Sequence, residues 1–231
     1  MSHAARLRAR SKGRFTCPMV VRAPYGGGIR APEHHSESTE AFFAHHPGLK
    51  VAIPSTPYDT KGLLTAAIRD PDPVIFLEPK LIYRAFRGDV PEESYEVPLG
   101  EAAVRRTGSD VSVYTYGAMT RPTMEAAENL ADEGIDTEVI DLRTVSPLDK
   151  ETIVDSFEKT GRGVVVHEAP KSGGLAGEIA ATIQEEAMLY QEAPIARVTG
   201  FDVPFPLHAL EDYYMPDPAR IADSIRDAVE F

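Results

Sequence analysis

The sequence predicts an α/β fold, a mostly parallel sheet with helices on both sides, laid out in two segments. Three observations carry that prediction. Short apolar runs of strand length alternate with amphipathic stretches of helix length along the chain. Val164-Val165-Val166 is a continuous β-branched run, which suits a strand covered on both faces. Gly88-Asp89-Val90-Pro91-Glu92-Glu93-Ser94 is polar, Pro-bearing and without periodicity, so it reads as a linker between residues 1–95 and 96–231.

Before the linker, Pro18–Ala23 reads as a short buried strand and Tyr25-Gly26-Gly27-Gly28-Ile29-Arg30 as a flexible loop. Ser38 is placed to cap a helix through Phe43, with Glu40 in its first turn facing the helix dipole. Lys50–Ile53 is a strand ended by Pro54. Pro57–Arg69 is a helix with Leu63, Leu64, Ala67 and Ile68 on one face, and Pro73–Leu77 is a further strand. After the linker, strands at Val111–Tyr116, Thr137–Leu142, Gly163–His167 and Ile195–Thr199 alternate with helices. Those helices are Thr120–Glu133, Asp149–Lys159, a stripe of Leu175, Ile179, Ile183 and Ala187, and Pro218–Val229. Gly134 and Gly161 stand where helices stop.

Composition narrows the function classes. With 36 acidic against 24 basic residues the net charge is −12, and such a surface repels nucleic acid and anionic membranes. Only seven of those bases are Lys, and an acid-rich, Lys-poor surface is what proteins of a high-salt cytoplasm tend to show. No stretch approaches the roughly 20 apolar residues of a spanning helix. Met1–Arg14 is basic but lacks the apolar core of a secretory signal. Cys17 is the single cysteine, so no intrachain disulfide forms, which fits a reducing cytoplasm. In Phe15-Thr16-Cys17-Pro18-Met19 it reads as a packed, inert thiol at a strand entry.

Two places could carry chemistry. Glu33-His34-His35-Ser36-Glu37-Ser38 follows the triple glycine and precedes a helix start. Histidine there suits proton transfer near neutral pH, although a solvated polar loop would look the same. His34, His35, His45 and His46 lack a recognisable zinc spacing. The second place is the strand–loop–helix His167-Glu168-Ala169-Pro170-Lys171-Ser172-Gly173-Gly174-Leu175-Ala176-Gly177. Its glycines resemble a phosphate cradle but complete neither the dinucleotide nor the Walker fingerprint, and close helix packing is the simpler role. His167 and Glu168 stand at a strand's carboxyl end, where α/β proteins bind ligands, or where a subunit contact could form.

Longer matches in order go further. Phe15–Gly28, then His35-Ser36-x-Ser38-x-Glu40-Ala41-Phe42, Pro47–Val51, Pro54–Leu64, Ile68–Asp70, Pro73–Lys80, Val139–Asp149 and His167–Pro170 resemble the β subunit of pyruvate and branched-chain 2-oxo acid dehydrogenases over essentially the whole chain. The resemblance implies part of a thiamine pyrimidine-binding domain followed by a transketolase C-terminal-type domain. It implies thiamine diphosphate shared with an α subunit in an α2β2 assembly, magnesium held by the α subunit, and acyl transfer to the lipoyl arm of an acyltransferase core. His35 matches the family's active-site histidine. Met19, Ala67, Ile68, Asp70 and Asp72 match positions whose backbone carbonyls hold a structural potassium ion. The family's β subunit has a further N-terminal portion with the carboxylate that engages the cofactor pyrimidine. The resemblance therefore implies an N-terminally truncated copy, inactive in isolation, with Val20, Val21, Val51 and Ile53 left at an uncovered sheet edge. A half of a transketolase-type thiamine enzyme, or a non-catalytic paralogue docking on the acyltransferase core, are the other readings.

Overall fold

The computed structural model describes all residues 1–231. The first half runs α1 (Ser2–Arg10), β1 (Val20–Tyr25), α2 (Glu40–Ala44), β2 (Lys50–Ala52), α3 (Pro57–Arg69) and β3 (Val74–Pro79). The second runs β4 (Ala103–Arg106), β5 (Val111–Thr115), α4 (Thr120–Ala131), β6 (Thr137–Asp141), β7 (Thr144–Ser146), α5 (Lys150–Thr160), β8 (Gly163–Pro170), α6 (Ala176–Glu186), β9 (Ala196–Gly200), α7 (Glu211–Tyr214) and α8 (Pro218–Glu230).

These strands form two sheets. In the first, ordered β1-β3-β2-β7, the first three strands are parallel and β7 is antiparallel to β2. In the second, ordered β4-β6-β5-β8-β9, only β4 is antiparallel. Helix ends follow local chemistry. Thr56, Asp149 and Asp217 accept the N–H of the third helical residue of α3, α5 and α8, and Gly161 ends α5 at φ +65°. Ser38 does not cap α2: the helix is five residues long and starts after Thr39 with no side-chain cap.

Alternate residues of β8 feed opposite layers. Val165 packs with Ile153, Phe157, Ile179 and Ile183 of α5 and α6, whereas Val164 and Val166 pack with Leu130, Ile221 and Ile225 of α4 and α8. The chain therefore leaves β5 toward one face and β8 toward the other. Adjacent parallel strands that diverge in this way open a crevice at their carboxyl ends. The layer containing Val165 also holds Tyr25, Val51, Ile53, Ile75 and Leu77, so the two sheets share one continuous core.

Some expectations change in three dimensions. Val51 and Ile53 are fully buried, because β7 comes from the second half to cover β2 and Ile53 N–H donates to the Arg143 carbonyl at 2.8 Å. β1 stays an edge of the first sheet, with β3 its single lateral partner and Val20 and Val21 half-buried. On α3 the buried stripe is Asp59, Gly62, Leu63, Ala66 and Ala67. Ile68 lies about 100° round the helix from Ala67 and is 64% exposed. Cys17 precedes β1 rather than entering the core and is half-buried. Gly177 of α6 meets nothing within 4 Å where a Cβ would sit, so it is not a packing glycine, whereas Gly174 is pressed against Pro170 and His167.

Candidate functional site

Residues 26–39 connect β1 to α2, and 26–37 of them form a loop closed on itself. Gly26 N–H donates to the Glu37 carbonyl at 3.2 Å, and the buried Ser36 hydroxyl lies 3.3 Å from the carbonyls of Ala31 and Pro32. Glu33–His35 make one 3₁₀ turn. His34 and His35 are both exposed, with ring centroids 4.1 Å apart. The expected flexible glycine run is closely fitted instead. Gly26 and Gly28 both sit at φ +82°, where a side chain is strained. A Cβ on Gly26 would fall 2.4 Å from a Glu168 oxygen, on Gly27 2.4 Å from the Phe205 ring, and on Gly28 2.7 Å from Leu81.

The crevice between β5 and β8 lies under this loop. Glu168 projects from the end of β8, is almost fully buried, and accepts the Gly27 N–H at 2.8 Å. Burial pushes its carboxyl up to about 7, the neighbouring Glu40 adds to that, and the Gly27 amide and Lys80 oppose it. Glu40, from the first turn of α2, is fully buried rather than a surface dipole partner. It accepts the Tyr116 hydroxyl at 2.8 Å, and burial raises its carboxyl too. Tyr25 is buried close to both carboxylates, and its hydroxyl is held well above its usual range by burial and by their charge. Lys80 follows β3 and lies near Glu168 and Glu211, with burial lowering its ammonium. Glu211 of α7, fully buried, accepts the Arg30 N–H at 3.2 Å.

His167, on the opposite side of β8 from Glu168, lies against Gly174. It is fully buried against Tyr116, 6.1 Å between centroids, and burial pushes its imidazole down to about 4, so it is neutral at physiological pH. Beyond α6's amino end, Lys171, Ser172, Gly173 and Gly174 line a separate open cleft, and Asp202 accepts both the Ser172 N–H and hydroxyl at 2.7 Å. The Ser172 N–H, an amide that such a loop would offer a phosphate, is thus already taken by a carboxylate.

Nowhere do three His, Cys, Asp or Glu side chains converge as metal ligands. The five carbonyl positions fall around one end of the first sheet. Met19 immediately precedes β1, Ala67 and Ile68 lie in the last turn of α3, and Asp70 and Asp72 lie in the turn to β3. The Met19 carbonyl accepts the Val74 N–H at 2.9 Å, and that of Ala67 lies 3.4 Å from Asp70 N–H. The Asp70 carboxylate pairs with Lys50 and accepts the Asp72 N–H, while Asp72 pairs with Arg8 at 2.6 Å.

The transketolase pyrimidine binding domain matches residues 1–85, and the transketolase C-terminal domain matches 100–221. The chain is 54% identical over 226 residues to the pyruvate dehydrogenase E1 component subunit beta of Acholeplasma laidlawii, covering 98% of this chain and 69% of that protein. It belongs to the β-subunit family of 2-oxo acid dehydrogenases. Identity to the 2-oxoisovalerate dehydrogenase subunit beta of Bacillus subtilis is 47% over 233 residues, covering all of this chain and 71% of that one. A solved split-gene transketolase, described as an inactive β4 tetramer, shares the fold with a TM-score of 0.77 at 24% identity, over 98% of this chain and 74% of its own.

Within the family frame, the sequence marked the His35 loop and the strand end at Glu168 but not Tyr25, Glu40, Lys80, Tyr116 or Glu211. Those residues come from five elements or connections and meet only through the sheet order. A glutamate one residue before the apolar Ala41-Phe42-Phe43 was the one local sign that Glu40 turns inward.

Proposed function

We propose that the chain works as the β subunit of an α2β2 2-oxo acid dehydrogenase that uses thiamine diphosphate, and that His35 is its catalytic residue in transfer of the acyl group to a lipoyl arm. The observation that carries the reading is the placement of His35. It is exposed at the crest of a loop whose base is buried, at the carboxyl end of a parallel sheet in a pyrimidine-binding-type domain. A side chain so placed reaches a group delivered by another protein, as a lipoyl arm on an acyltransferase core is.

Thiamine diphosphate, when bound, supplies the electron sink for decarboxylating the 2-oxo acid. The triple glycine offers no cradle for the diphosphate: the spaces above Gly26, Gly27 and Gly28 are filled by Glu168, Phe205 and Leu81, and a carboxylate lies where phosphate charge would have to sit. That supports a division in which an α subunit holds the diphosphate and magnesium. This chain handles the proton. In transfer, the acyl carbon would bring the electron pair left by decarboxylation to one lipoyl sulfur as the S–S bond breaks, and the other sulfur, leaving as a thiolate, would take a proton that His35 donates. For potassium, the carbonyls of Met19, Ala67, Ile68, Asp70 and Asp72 would be the ligands. The Met19 and Ala67 carbonyls already face the Val74 and Asp70 N–H groups and would offer the cation their second lone pair, and carbonyl oxygens suit a large hard cation.

In the complex assembled with its α subunit, His35→Ala lowers acyl transfer by about 10²–10⁴-fold, the usual worth of a positioned proton donor. His34→Ala has a much smaller effect, and thiamine diphosphate binding, followed by calorimetry, survives both. Loss with His34→Ala and retention with His35→Ala would move the role by one residue. Retention in both would leave the loop as polar surface.

A further inference from the structure

We infer that Glu168 and Glu211 are positioning residues that hold the His35 loop in place from the second half of the chain; their bearing on catalysis rests on the role proposed for His35. The loop has little regular structure of its own. Apart from its closure at Gly26–Glu37 and the Ser36 contacts, its backbone is tied down by two side chains, 141 and 181 residues away in sequence. Glu168 takes the Gly27 N–H at 2.8 Å on one limb, and Glu211 takes the Arg30 N–H at 3.2 Å further along it. Asp212, beside Glu211, adds a weaker exposed pair with the Arg30 guanidinium at 3.4 Å.

Both acceptors are buried carboxyl groups, and a buried hydrogen bond is costly to leave unmade. The two carboxylates are themselves fixed. Glu168 stands at the rigid end of β8, Glu211 opens α7, and Lys80 lies near both. Shape reinforces the grip. Any side chain on Gly26 would displace the Glu168 carboxylate, and Gly27 is packed against Phe205 and Met215, again from the second half. The crevice that α/β proteins commonly leave for a ligand is thus filled by a loop of the same chain. The conformation of His35 becomes a property of how the two sheets are docked.

Hydrogen–deuterium exchange on the full chain reads the clamp without any cofactor or partner. Glu168→Ala and Glu211→Ala should each raise exchange across residues 26–37 by about tenfold or more while peptides in β5 and β8 keep their protection. Glu168→Gln, which retains an oxygen acceptor for Gly27 N–H, should restore most of the loop's protection. Unchanged exchange over 26–37 in both alanine variants overturns the inference. If Glu168→Ala loosens the whole chain, Glu211→Ala, at the far limb of the loop, decides it alone.

In the complex with an α subunit, Glu168→Ala should slow lipoyl acylation by up to about 10²-fold, the scale of a roughly 1 Å misplacement. The double variant with His35→Ala should be no slower than His35→Ala, because the clamp acts through that residue. Additive losses would overturn the assignment to positioning. A loosened loop with full activity in both single variants would leave the clamp standing and remove the role of His35.

Discussion

Two buried polar clusters join the halves of this protein, and they are built on opposite principles. One balances its charges. Asp59 of α3 and Asp141 of β6 are fully buried and are met by Arg105 and Arg143: Arg105 lies 2.7 Å from Asp141 and pairs with Asp59, and Arg143 lies 2.8 Å from Asp59. Ser55 adds a hydroxyl to Asp141. Guanidinium stays protonated at any accessible pH, so this cluster has fixed cations. The other cluster gathers Glu40, Glu168 and Glu211 with Tyr25 and Tyr116, and its one ammonium, Lys80, lies near Glu168 and Glu211. Its carboxylates outnumber its cations, and burial favours protonation of Glu40 and Glu168. The first cluster fixes how the sheets dock. The second lies under the glycine loop and responds to pH.

Breaking the balanced cluster should have the largest effect on stability. Arg105→Met leaves Asp141 buried without a cation, and removing one partner of a buried pair costs about 3–5 kcal/mol. Urea unfolding at neutral pH measures it. A loss below about 1 kcal/mol would place the network among solvent-screened surface pairs.

The carboxylate cluster should show itself through pH. Glu168 goes from an ordinary 4.5 to about 7 on folding, so the folded state holds a proton that the unfolded state has released. Its contribution is fully present below about pH 4.5 and is lost as pH rises through about 7. A change of that size corresponds to about 3 kcal/mol. Glu40 shifts in the same direction, and the Gly27 amide and Lys80 moderate both the size and the midpoint. Glu168→Gln removes the titrating group, so its melting temperature relative to wild type should climb between pH 5 and pH 8. A constant difference across that range would mean that Glu168 is already ionised throughout.

The contrast also separates what the sequence could and could not disclose. Elements set by local chemistry were legible: α5 between its Asp149 cap and Gly161, α8 behind Asp217-Pro218, and the β-branched core of β8. β7 was not, since three residues carry no periodicity and become a strand only by pairing with β2, about 90 positions earlier in the chain. The polar cluster around His35 stood out because its residues are consecutive. Its support did not, because Glu40 and Tyr116 are 76 residues apart and Glu168 and Gly27 are 141 apart. Glu168 was marked correctly as a strand-end residue, yet its partner is a backbone amide of the same chain rather than a ligand. Strand position reveals where a crevice opens but not what fills it.

The smallest expected effect tests whether the balanced cluster ends at its charges. Thr56 sits at its rim, half-buried, capping α3: its hydroxyl accepts the Asp59 N–H at 3.1 Å and lies 2.6 Å from the Asp59 carboxylate. Loss of an N-cap hydroxyl usually costs about 1 kcal/mol, so Thr56→Ala should fall well short of Arg105→Met, and Thr56→Ser should recover most of the loss. The informative measurement is the double variant. If Thr56 acts only as a helix cap, the two losses add to within about 0.5 kcal/mol. If its hydroxyl also fixes the Asp59 carboxylate where Arg105 meets it, removing Arg105 first leaves less for Thr56 to hold, and the double variant is more stable than the sum implies. Residues that share a partner, as these two share Asp59, ordinarily couple by 0.5 kcal/mol or more. Sub-additivity is therefore the expected result. Strict additivity would show that the network's geometry is set by the guanidinium groups alone.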